Sequence, residues 1–165
     1  MRTTVSTLRL TRTRAFTVPE MLVALALMAL IMTAAAMGLK AAQTSHSYNN
    51  DKVELVARAR GTLDRITQDI RLGASYTVVD SHHLHVTLND GSLHSYSWDG
   101  TASGTLQYSE TPFGGTETTY VILDNYVTDF TVTDVAPACS IRLALTGTKA
   151  STHMTVTALP SKALF

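Results

Sequence analysis

At 165 residues the chain has room for one domain plus an anchor. Its 13 basic and 13 acidic residues balance to zero, without the basic excess typical of nucleic-acid-binding proteins, so no nucleic-acid partner is expected. The single cysteine, Cys139, excludes an intrachain disulfide, so an exported domain of this sequence must be held by packing alone.

The balance of charge hides an asymmetry. Arg2, Arg9, Arg12 and Arg14 all precede Phe16, in a segment without an acid. Without those four, the rest of the chain stands at about −4 and has little electrostatic attraction to polyanions. After the basic leader, Met21 to Leu39 is free of charge, bounded by Glu20 and Lys40. A helix of that length is about 29 Å long at about 1.5 Å per residue, close to the hydrocarbon thickness of a bilayer. The arginines in front of it predict a cytoplasmic amino terminus by the positive-inside bias. Ala34, Ala35 and Ala36 offer a small-residue site for a secretory signal peptidase. That reading, and an ordinary uncleaved anchor, both leave Glu20 unexplained.

Residues 15 to 22, "AFTVPEML", resemble the processing site of type IV prepilins and pseudopilins. The family pattern is a basic leader ending in a small residue, then Phe-Thr-aliphatic-x-Glu and a long apolar helix. Here Ala15 stands at the last leader position, where the family usually has Gly; Phe16 would be the first mature residue and Glu20 the fifth. The resemblance implies that a membrane-embedded prepilin peptidase cuts between Ala15 and Phe16 and that the new amine of Phe16 is N-methylated. It also implies that Phe16 and Glu20 serve subunit assembly. A carboxylate in the bilayer core costs about 2.5–3.5 kcal/mol on insertion scales, and the amine released four residues away would offset it. Pro19 fits a first helical turn, where its missing N–H bond would be unmade anyway.

Beyond a polar patch, "QTSHSYNND" (43 to 51), helical periodicity resumes. Val56, Ala59, Leu63, Ile66 and Ile70 form one apolar stripe at 3- and 4-residue steps. Arg58, Arg60, Asp64, Arg65, Gln68 and Asp69 are expected on the other faces, and Gly73 supplies a stop. From Ser75 the period becomes two. Strands are expected at Ser75 to Val79, His83 to Leu88, Ser92 to Trp98, Thr105 to Tyr108, Tyr120 to Leu123, Tyr126 to Thr133, Cys139 to Thr146 and Thr152 to Ala158. Asn89-Asp90-Gly91 reads as a hairpin turn. Cys139 alternates with Ile141, Leu143 and Leu145 and reads as a small buried hydrophobe. The expected fold class is α+β: a long amino-terminal helix packed on an antiparallel β-sheet. The expected divisions are a leader (1–15), a membrane or filament-core helix (16–40), an amphipathic periplasmic helix (41–73) and a β domain (74–165).

"LDRITQDIRLGAS" (63 to 75) and "LDNYVTDFTVTD" (123 to 134) are similar to motifs of the J-type minor pseudopilins of type II secretion. The resemblance implies a subunit of a periplasmic pseudopilus, with other pilin-type subunits, prepilin peptidase, an ATPase-driven inner-membrane assembly platform and the lipid bilayer as partners. A minor type IV pilin priming a surface fibre for adhesion, motility or DNA uptake is the alternative. The single cysteine leans away from it, because many surface pilins clamp a carboxyl-terminal loop with two. A secreted soluble ligand- or metal-binding β domain is the reading from another class. His82, His83 and His85 cluster, and His94 follows the turn, a set suited to zinc or copper; a solvated strand face is the better account. Calcium held at Asn89-Asp90 or Asp124-Asn125 is a lesser alternative. No nucleophile elbow, phosphate loop or Cys-x-x-Cys is present, so neither an enzyme nor a cofactor or resident metal is expected.

Overall fold

The structure, a computed structural model, describes residues 16–160. A single helix, α1 (Val18–Leu72), is followed by seven strands: β1 (Ser75–Asp80), β2 (His83–Thr87), β3 (Leu93–Trp98), β4 (Gly104–Thr111), β5 (Thr118–Val135), β6 (Ala138–Thr146) and β7 (Ser151–Ala158). All seven form one sheet in chain order, antiparallel throughout. The chain divides into two compact units between Thr44 and Ser45. In the second, the helix packs on the sheet, giving the α+β, pilin-like architecture that the change of hydrophobic period predicts.

The helix buries Leu55, Ala59, Thr62, Leu63, Ile66, Thr67 and Ile70. The stripe matches the expected spacing except at its start, where Leu55 rather than Val56 turns inward. Opposite it lie Leu84, Val86, Tyr96, Leu106, Tyr108, Phe130, Ile141, Leu143 and Leu145, all buried, from alternate positions of five strands. Cys139 joins them; burial pushes its thiol up to about 11, so it is a packed side chain and not a ready nucleophile. Glycine ends the helix as expected, with the Gly73 amide bonded to the Asp69 carbonyl at 2.8 Å. At the β2–β3 hairpin, Gly91 takes φ +82°, the left-handed region where a side chain would be strained.

The structure lengthens the expected Thr105 to Tyr108 strand to Thr111 and departs most at one further place. The two pieces separated at Asp124-Asn125 form the single 18-residue strand β5. Asn125 adopts φ +60°, a conformation Asn tolerates better than most residues. The irregularity is absorbed as a shift of register against β4, where Leu106 faces Leu123 and Gly104 faces Val127. A turn-like dipeptide thus bends a strand without ending it. The sheet also curls, so that the Ser81 carbonyl, just past β1, accepts the Val132 amide of β5 at 2.8 Å.

Candidate assembly site

The amino-terminal end of α1 is built from few residues. Thr17, a favoured residue type just outside a helix, offers its carbonyl to the Met21 amide at 3.1 Å. Val18 opens the helix, Pro19 follows where it removes no intrahelical bond, and Glu20 lies in the first turn. An acid there interacts favourably with the helix dipole, and Thr17-x-x-Glu20 has the spacing of a capping box. Phe16 is 70 % exposed and lies outside the helix. Ala15, the other half of the expected cleavage point, lies outside the described residues.

Beyond this end every residue up to His46 is exposed, including Leu22, Leu25, Leu30, Ile31 and Leu39. Mean hydropathy reaches 2.4 in the most apolar 18-residue window of α1, long and apolar enough to cross a membrane. Two of its threonine hydroxyls bond back to the helix: Thr33 Oγ1 donates to the Ala29 carbonyl at 2.7 Å and Thr44 Oγ1 to the Lys40 carbonyl at 2.9 Å. Such back-bonding hides hydroxyls from an apolar medium.

A second polar constellation lies between α1 and the sheet. Asp69 Oδ2 accepts from Tyr96 Oη at 2.6 Å and sits 2.8 Å from His94 Nδ1. Burial, reinforced by that carboxylate, pushes the Tyr96 hydroxyl far above its ordinary range, so it stays protonated as the donor. The Arg65 guanidinium lies 3.9 Å from the centre of the Tyr108 ring, in cation–π contact. Helical periodicity placed Asp69 and Arg65 on outward faces; the sheet reaches around the stripe and takes both. The signal for this was the polarity of His94 and Tyr96 opposite Val86 and Leu84 of β2, which no local spacing pairs with Asp69.

The histidines are not brought together. His94 faces Val86 across the hairpin and therefore lies on the helix side of the sheet, whereas His83 and His85 face Ser97 and Ser95 on the other side. His83 Nδ1 instead meets Asp80 Oδ2 at 2.6 Å, and the His82 ring stands edge-on to Trp98. Among the described residues no three His, Cys, Asp or Glu side chains are grouped to hold a metal ion. A clasp that the sequence did not reveal joins the far hairpin to α1: Asp51 Oδ2 accepts the amides of Lys149 and Ala150, each at 2.8 Å. Gly147 makes room for it, because a Cβ there would lie 2.8 Å from the same carboxylate.

No curated protein and no solved structure matches the chain. Residues 10–36 match the prokaryotic N-terminal methylation motif, a span that covers the leader's end, Phe16, Glu20 and the first part of the apolar helix. That motif, on an exposed apolar helix followed by an antiparallel sheet, supports a type IV prepilin-like protein, a pilin or pseudopilin-like precursor.

Proposed function

We propose that the protein is a structural subunit and not an enzyme, cut between Ala15 and Phe16, N-methylated on Phe16 and assembled into a periplasmic pseudopilus of type II protein secretion. Before assembly it is held in the inner membrane by one span, with the amino terminus cytoplasmic and the sheet domain periplasmic. An inner-membrane platform then moves it from lipid into the filament, where its apolar helix packs among those of other subunits. Glu20 serves as the register residue. Cleavage supplies an amine four residues away, and pairing with such an amine on the same or a neighbouring subunit offsets the desolvation of both charges. The observation that carries the reading is the methylation motif in register with a helix whose apolar side chains are exposed among the described residues.

The single cysteine supports a secretion pseudopilus over a minor type IV pilin, since it cannot form the clamped loop of many surface pilins. Mass spectrometry of the amino terminus tests the proposal. A membrane-extracted chain that starts at N-methyl-Phe16 is the expected result, whereas a soluble chain starting near Met37 would mean a cleaved signal and overturn it. Deleting the gene then separates the two filament types: loss of protein secretion with surface fibres intact is expected.

A further inference from the structure

Strand β5 is used unevenly. From Val127 to Val135 it is flanked by β6. From Thr118 to Leu123 it pairs with β4, and on its other side no described strand or turn takes up its main-chain groups. A notch of about 630 Å³ runs beside this segment, lined by Val121 and Tyr126 and by Thr146 and Thr148, with the charges of Arg58 and Asp124 at its Tyr126 end. Unpaired N–H and C=O groups along an extended strand are a template for another strand, and proteins ordinarily guard such edges with charge, Pro or a bulge. Thr118 to Leu123 contains no charged residue, Pro or Gly, its one irregularity is the register shift at Ile122 on the β4 side, and Tyr120 and Val121 are 53 % and 57 % exposed.

The fold has a second edge of the same character. β7 pairs with β6 alone among the described strands, and Ser151–Ala158 also lacks Asp, Glu, Lys, Arg, Pro and Gly. The remaining edge, β1, differs: it ends on Asp80, Ser81 bonds to Val132, and Tyr76 Oη donates to Asp134 at 3.0 Å. The curl of the sheet thus turns β1 toward β5 and leaves two bare edges on one chain. Neither edge carries charge to repel the other, and each needs what the other offers.

We propose that β7 of a second copy of this chain pairs with the open Thr118–Leu123 edge of β5, continuing the sheet from one subunit to the next. The contact joins two different surfaces, so it is heterologous and compatible with a repeating, head-to-tail assembly rather than a two-fold dimer. In this it rests on the assembly reading above and adds a sheet-to-sheet contact to it. The face of the sheet away from the helix carries Thr119 and Val121 on β5 and His153, Thr155 and Thr157 on β7, as the registers require. These side chains become cross-strand neighbours in the joined sheet.

Disulfide trapping in the full chain, in native membranes, tests the pairing. Two tagged copies are co-expressed, one carrying Thr119→Cys or Val121→Cys, the other His153→Cys, Thr155→Cys or Thr157→Cys, in a Cys139→Ser background. A mixed disulfide between the copies is expected for the pairs in register, while two β5 cysteines do not link. Val121→Lys in one copy, or Thr155→Lys in the other, lowers the linked fraction by about tenfold, because a charge is set against a strand edge. Both positions are exposed, so the melting temperature of each variant should match the parent. Linkage between two β5 edges, or no mixed linkage at any pair, overturns the proposal. If the chain still begins at methyl-Phe16 and enters filaments while no pair links, the edge contact fails and the assembly reading stands. A chain that keeps its leader overturns the assembly reading instead.

Discussion

The two stretches of α1 on either side of Thr44 are made of similar helix-forming residues, yet they meet the hydrophobic effect in opposite ways. Before it, apolar residues surround the helix and all are exposed; after it, one stripe from Leu55 to Ile70 is buried under the sheet, while Tyr48, Val53 and Leu72 stay exposed. A helix apolar all round requires an apolar medium, whereas an amphipathic one requires only a partner on one side. The difference separates assembly from stability: the first stretch has surface to offer to lipid or to other subunits, and the second holds the sheet domain together.

The largest test of that separation lies in the core. Ile66→Ala removes a fully buried side chain and should destabilise the sheet domain by about 2–5 kcal/mol. Leu30→Ala, in the exposed stretch, should leave thermal or denaturant unfolding of the domain unchanged; equal losses would erase the contrast. Glu20→Ala acts on the other side of the comparison. Processing at Phe16 and the domain's melting temperature should persist while incorporation into filaments falls strongly, and normal incorporation would remove the role given to the acid.

The polar node refines the picture within the second stretch. Asp69→Asn weakens two hydrogen bonds to a carboxylate at a partly buried site and should cost about 1.5–3 kcal/mol, read by urea unfolding, with no change in membrane anchoring. The smallest effect is a pH dependence. Burial, with the Asp134 bond second, pushes Tyr76 up to about 12. Its folded form therefore holds the proton more tightly than the unfolded chain, where a tyrosine titrates near about 10. The resulting contribution is complete below about pH 10 and lost as pH rises through about 12. Stability should fall across that alkaline window, and Tyr76→Phe should flatten the slope. An unchanged slope would show that other groups dominate.

Much of this was legible in the sequence because it depends on neighbours. The charge-free run, the stripe at 3- and 4-residue steps, the hairpin at Gly91 and the alternation around Cys139 are all local patterns, and each appears where the spacing put it. The candidate processing site was likewise readable, since leader charge, Phe16, Glu20 and the apolar run are consecutive. Reading failed where two distant segments had to be aligned. Asp124-Asn125 keeps a turn-like residue, with Asn125 at positive φ, yet β4 pairing before it and β6 pairing from Val127 onward carry one strand through it. His94 resembles a companion of His83 and His85 until the register assigns it to the opposite face.

The sequence alone determined that one helix would need an apolar medium, that a second stretch would need cover on one face, and that an acid would stand at the head of the first. Periodicity and charge spacing carry those facts without reference to any other part of the chain. Only the tertiary structure decided that Asp69 meets His94 and Tyr96, that Asp51 clasps the β6–β7 turn, and that β5 and β7 keep bare edges while β1 does not. Those outcomes depend on strand register and on the curl of the sheet, which follow from packing summed over the whole domain rather than from any local run of residues.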